Sequence, residues 1–212
     1  MTNQRTQSIV DPARREFLRK SFAGMGWVMA GGVLSRCSDG NRAATMSNIA
    51  ALGPLAEPDE NGLRLPDGFT SRIIARSGMA VGSSGYVWHN APDGGAVFTT
   101  GDRGWVYVSN SETASIIGGG ASAVRFSSNG DIVDAYRILE GTNLNCAGGA
   151  TPWGTWLSCE ETPTGRVWEC DPVGQSAAVV RPAMGAFAHE AAAIDEVNQH
   201  AYLTEDVSDG RR

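Results

Sequence analysis

From about residue 65 onward the apolar residues alternate with polar ones over short runs, and nowhere do they fall at the three-and-four spacing of a long helical stripe. Alternation at period two marks strands with one buried face. Three of these runs resemble one another: 107–112 (YVSNSE), 156–161 (WLSCEE) and 202–207 (YLTEDV). Each reads aromatic, aliphatic, hydroxyl, variable, then small-polar or acidic, and each begins a little under fifty residues after the last. A repeat of about 40–50 residues with several short strands per unit predicts a β-propeller. The fold expected is therefore all-β, an incomplete propeller of about three blades, preceded by an N-terminal signal helix.

The segments between the repeats fit strand hairpins. Residues 124–139 (VRFSSNGDIVDAYRIL) read strand, Asn-Gly turn, strand, and 165–182 (GRVWECDPVGQSAAVVRP) turn at 171–174. Residues 189–206 (HEAAAIDEVNQHAYLTED) carry helix-favouring Glu and Ala, but the repeat predicts a strand hairpin there too.

The N-terminal residues have a different character. Residues 13–19 (ARREFLR) resemble the twin-arginine export signal, with Ala13 where Ser or Thr is usual. The apolar stretch 22–34 (FAGMGWVMAGGVL) is too short to span a bilayer, which takes about 20 residues, and suits a signal core. A lipid anchor on Cys37 is disfavoured by Arg36. The expected organisation is a twin-arginine signal peptide and cleavage region over 1–44, a linker over 45–61, and a propeller segment over 62–212. Export by the twin-arginine translocase to the periplasm or outside follows, with no stable membrane span after processing. A net charge of −6 excludes a nucleic-acid partner, which demands clustered Lys and Arg.

Within the propeller reading, acids that end corresponding strands converge: Glu112, then Glu160 or Glu161, then Glu205 or Asp206. Convergent carboxylates repel one another unless hard cations bind between them, so the set predicts a metal site; the alternative is solvated strand ends. Cys146, in a glycine-rich turn that lets backbone approach an ion, is either a thiolate ligand or a small buried thiol. Cys159 and Cys170 could pair across a hairpin, though such cysteines are more often buried and inert. His189 is a ligand or a satisfied core histidine. His89 and His200 read as ordinary surface or turn residues. Trp153 and Trp156 read as packing residues, and 118–120 (GGG) as a loop.

The stretch 145–161 (NCAGGATPWGTWLSCEE) is long and unusual. Taken in order with 65–69 (LPDGF), 105–112 (WVYVSNSE), 134–139 (DAYRIL), 166–172 (RVWECDP) and 187–192 (FAHEAA), it resembles the PhoX family of alkaline phosphatases. The resemblance implies an exported metal-dependent phosphomonoester hydrolase on a β-propeller, with ferric iron and calcium as cofactors. It implies Cys146 as the thiolate ligand to iron and Glu190 as an iron-ligating carboxylate. Glu160 and Glu161 become calcium or outer carboxylates, with Glu205 and Asp206 as further metal candidates; no catalytic residue is assigned.

The chain departs from the family pattern in two places. Ala188 stands where a Lys commonly precedes His-Glu. The family's late Arg-Pro-Glu segment has no equivalent, since Arg181-Pro182 is followed by Ala183. The expectation is a chain truncated relative to a longer parent. The alternatives are a non-catalytic propeller fragment that binds calcium or a partner and self-associates through unpaired blade edges, and a calcium-dependent propeller hydrolase of the lactonase kind.

Overall fold

A computed structural model of the protein describes residues 52–206. The signal region and the first part of the expected linker, through residue 51, lie outside the described residues. The chain divides between Ser71 and Arg72 into two compact units.

In the first unit, Leu55 and Pro66 bridge antiparallel. Asp59 organises the loop between them: its carboxylate accepts from the backbone N–H groups of Asn61 and Leu63 at 2.9 Å and from the Ser71 hydroxyl at 2.5 Å.

The second unit is built of antiparallel strands. β1 (Pro92–Thr99), β2 (Trp105–Ser111), β3 (Gly120–Phe126) and β4 (Ile132–Glu140) form a four-stranded sheet in chain order. β5 (Asn145–Ala150), β6 (Trp156–Glu160), β7 (Val167–Cys170) and β8 (Val179–Val180) form a second sheet of the same order. β9 (Ala192–Asp195) and β10 (His200–Leu203) add a hairpin. Neither sheet closes on itself, and among the described residues there is no α-helix. No described helix is long and apolar enough to cross a membrane.

The three repeated runs occupy β2, β6 and β10, the second strand of each sheet and of the hairpin. The expected hairpins are present, and local chemistry closes their turns. Ser127 Oγ accepts from the N–H groups of Asn129 and Asp131 at 3.2 Å between β3 and β4. The Asp171 carboxylate accepts from Val173, Gln175 and Ser176 at 3.0 Å between β7 and β8. Asp195 caps Asn198 between β9 and β10. These are side chains that mimic a backbone turn, which is why such residues punctuate strands. The helix propensity of 189–197 loses because a lone turn of helix gains little, while β9 buries Ala192 against β6.

Three apolar layers hold the unit together. Val106, Val108, Ala121, Ala123, Ile138 and Leu139 of the first sheet pack against Trp156 and Cys170 of the second. On its other face the first sheet buries Val124, Phe126 and Ala135 under Val81 and Trp88. The second sheet's other face buries Leu157, Cys159 and Val167 against Ala192, Ile194 and Leu203. Each fully buried Val or Leu contributes roughly 1.5–3 kcal/mol.

Trp156 packs between the sheets as expected. Trp153 is exposed and donates its indole N–H to Glu169 at 2.7 Å. Cys159 and Cys170 are free and buried. The β6–β7 register sets Cys170 opposite Trp156 and Cys159 opposite Val167, so the two cysteines never face each other.

His89 corrects the sequence reading. It is buried rather than superficial, stacked on Trp88 at 4.3 Å, with Nδ1 2.8 Å from Ser122 Oγ. Trp88 and His89 are both buried although adjacent, which period-two alternation does not anticipate. His200 is exposed. The triple glycine is a tight connection: its first two carbonyls accept from the Arg137 guanidinium, and its first two N–H groups go to Ser115 and Ala114. Those amides are not free to cradle an anion.

Candidate metal centre

Both first strands carry a bulge at the same place. β1 shifts register between Pro92 and Gly95, and β5 between Asn145 and Gly148. Gly95 pairs with Ser109 and Gly148 with Ser158, which are corresponding residues of the repeated runs. Asp93 and Cys146 are thus equivalent, each the first residue of its bulge. Bulges re-aim side chains out of the pleat, and here they turn a carboxylate and a thiol towards one place.

The strands must approach closely for this. A methyl group on Gly94 would come within 2.6 Å of the Ala147 Cα, and one on Gly149 within 1.8 Å of the Ala192 carbonyl oxygen. Only glycine admits β1 against β5 and β5 against β9 at those points.

Two overlapping donor groups result. Asp93, Glu112 and Cys146 place ligand atoms within 4.8 Å of one another, and so do Cys146, Glu161 and Glu190. Cys146 Sγ is common to both. Glu112 and Glu161 are the corresponding last residues of the first two repeated runs. Glu190 enters from the segment before β9, where its N–H donates to Thr204 at 2.9 Å.

The electrostatics are those of a site crowded with one sign of charge. Burial, then the contact with Glu190 and the fields of Asp93, Glu190 and Glu112, push the Cys146 thiol well above its usual range. Burial, then Asp93 and the Glu161 and Glu190 charges, raise Glu112 above the usual carboxylate range. Glu190 Oε2 is buried without a hydrogen-bond partner. A buried carboxylate oxygen left unpaired is costly, and a cation is the partner that would satisfy it, the thiol and three further carboxylates together. Oxygen donors with one thiolate suit a hard cation that tolerates sulfur, and oxygen donors alone suit calcium.

The other candidates lie elsewhere. Glu160 turns away: Oε1 accepts from the Asn143 N–H at 2.8 Å, and Oε2 from the Arg166 N–H at 3.1 Å and the Trp168 indole at 3.0 Å. Its carboxylate is occupied with holding the loops at the end of β6. Glu205 and Asp206 follow β10 and join neither donor group. Counted along the repeat, the position matching Glu112 and Glu161 is 207, a valine. His189 is fully buried against Phe187, ring centroids 3.7 Å apart, and its ring nitrogens have no hydrogen-bond partner. It too is outside both groups. Asp93 escaped the sequence reading. In the register of the repeat 92–96 (PDGGA) stands where 145–149 (NCAGG) stands, with an acid in place of the thiol.

Residues 93–168 match the family model of alkaline phosphatase PhoX. Over this stretch the chain is PhoX-like. The matched segment holds Asp93, Glu112, Cys146 and Glu161 and stops short of Glu190. No curated protein and no solved structure matches the chain.

Proposed function

We propose that this protein is a PhoX-type, metal-dependent phosphomonoester hydrolase, and that its metal centre is the group Asp93, Glu112, Cys146, Glu161 and Glu190. The observation that carries the reading is Cys146 shared between two sets of carboxylates inside the PhoX-like segment. In this reading the Cys146 thiolate and Glu190 would hold ferric iron, and the neighbouring carboxylates would offer calcium its oxygen donors. Bound cations would neutralise phosphate oxygens, stabilise developing charge and lower the pKa of a bound water. The chain's own part is to gather the donors, keep the thiol and Glu190 out of bulk water, and release the Cys146 proton when a cation binds.

The architecture proposed is a segment of a β-propeller, each sheet a blade whose first strand faces the centre. Backbone packing of β1 on β5 and β5 on β9 through Gly94 and Gly149 supports it. Twin-arginine export to the periplasm or beyond fits the same reading, as does a phosphomonoester substrate. Glu160, Glu205 and Asp206 would then support the centre from outside it.

A second reading is a cation-binding module without turnover. One observation favours it: among the described residues the charges acting on Cys146 and Glu112 are all acidic, with no basic side chain among them to hold a phosphate.

Elemental mass spectrometry on the purified protein, with turnover of para-nitrophenyl phosphate in added calcium, separates the two. The first reading expects bound iron and calcium. It also expects Cys146→Ala and Glu190→Gln each to lower turnover by more than about 100-fold, since even outer-shell changes cost 10–100-fold. Calcium without iron or turnover would establish the second. Full turnover in both variants would overturn the residue assignment.

A further inference from the structure

The bulge that aims Cys146 lies against a side chain of the other sheet. The Cys146 and Ala147 carbonyls accept from the Nδ2 amide of Asn110, at 2.9 and 2.7 Å. Asn110 belongs to β2, in the other sheet, and is fully buried. Its Oδ1 accepts from the Trp156 indole N–H at 2.9 Å and from the Ser158 hydroxyl at 2.8 Å. The amide's orientation is fixed without ambiguity, because an indole can only donate and a carbonyl can only accept. All four hydrogen-bonding positions are therefore filled. The network runs on from Ser158 to Asn145 at 2.9 Å and from Asn145 to Thr142 at 2.6 Å, holding the residue before Cys146 as well.

We infer that Asn110 is the positioning residue of Cys146: its side-chain amide fixes the β5 bulge and thereby the place and readiness of the thiol. This rests on the reading of Cys146 as a metal ligand for its consequence, but not for its geometry. No other residue type does the same work in that space. Aspartate keeps the shape but sets an acceptor against two carbonyls, and serine is too short to span both. The corresponding residue of the second repeat is Cys159, which faces Ala192 in an apolar layer and clamps nothing. The amide is thus specific to the bulge that carries the thiol, and is not a requirement of the repeat.

The test compares Asn110→Asp with Ser158→Ala in the full chain. Ser158→Ala removes a hydroxyl from the same network while leaving both amide–carbonyl bonds intact. If Asn110→Asp does not fold by circular dichroism, Asn110→Ser takes its place. The first readout is the rate of iodoacetamide alkylation at Cys146, resolved by peptide mass spectrometry in chelator-treated protein. Asn110→Asp should change it at least tenfold, and Ser158→Ala by less than threefold. The second readout is cobalt(II) titration, following near-ultraviolet thiolate-to-metal absorption that Cys146→Ser abolishes. There Asn110→Asp should weaken binding at least tenfold or shift the band, and Ser158→Ala should keep both. Equal alkylation rates in wild type and Asn110→Asp, or equal changes in both network variants, would overturn the inference while leaving the metal reading standing. No thiolate band in the wild type would count against the metal reading alone, and the alkylation rates would still decide the role of Asn110.

Discussion

The two interfaces of the second unit are built on the same repeat but filled differently. Between the two sheets, an apolar layer gives way to a polar network at the β5 bulge, where Asn110, Trp156, Ser158, Asn145 and Thr142 are linked by hydrogen bonds. Between the second sheet and the hairpin, the contact is apolar, made by Leu157, Cys159, Val167, Ala192, Ile194 and Leu203. Asn110 and Cys159 hold corresponding places in the two. A buried polar group is costly unless it finds a partner. The difference teaches that the polar filling follows the bulge: in the first interface Asn110 donates to the two carbonyls of the Cys146 bulge, and β9 in the second pairs without a register shift.

The sharpest way to break this comparison is to empty the apolar interface. Leu157 is 1 % exposed at its centre. Leu157→Ala should cost about 4 kcal/mol, within the 2–5 usual for a buried leucine. Ser158→Ala, one residue along on the opposite face, should cost less, about 2–3 kcal/mol: Asn110 Oδ1 keeps the Trp156 indole, but the buried Asn145 Nδ2 loses its acceptor. Urea unfolding of both variants checks this. A Leu157→Ala loss no larger than that of Ser158→Ala would mean that the hairpin adds little to the unit.

A smaller effect probes the polar pocket on the far face of the first sheet. His89 is held between Ser122 and Ser109, and burial, then the charge of Arg137, lower its pKa from 6.5 to about 4. The folded state binds that proton more weakly than the unfolded chain. Its contribution is therefore fully present above pH 6.5 and is lost as pH falls towards 4, by at most about 3 kcal/mol. His89→Gln should flatten that limb of a stability–pH curve. An unchanged slope would mean that carboxylates alone set acid unfolding.

These contrasts also show what the sequence could convey. Strand periodicity, turn residues and the fifty-residue repeat made the hairpins legible, because each is a local signal. The convergence of Glu112 and Glu161 was legible because they sit at matched ends of repeated runs. Asp93 was not, since a bulge shifts register in a way that alternation cannot display. Glu160 and Glu161 could not be told apart from adjacency: only the fold reveals that Asn143, Arg166 and Trp168 take the first and leave the second to the cluster. The burial of His89 and the reach of Asn110 depend on contacts across the sheets, which no run of neighbours encodes.

The smallest effect distinguishes a true cation site from a patch of acids. Burial, then the neighbouring Asp93, Glu161 and Glu190, raise the pKa of Glu112. A carboxyl with a raised folded pKa contributes stability below its unfolded value and loses it as pH rises through the raised one. Glu112→Gln avoids that loss. In chelator-treated protein the variant should be more stable than wild type at pH 8 by about 0.5 kcal/mol, the scale of exposed charge pairs, and equal to it near pH 4. With calcium added the sign should invert, because a ligand that binds only the folded state stabilises in proportion to its affinity, and the variant has lost a donor. Thermal melts at both pH values, with and without calcium, give four numbers. Inversion marks a built centre. A variant less stable in all four conditions would mean that Glu112 packs as a structural residue, and that the acids at these strand ends answer to water rather than to a metal.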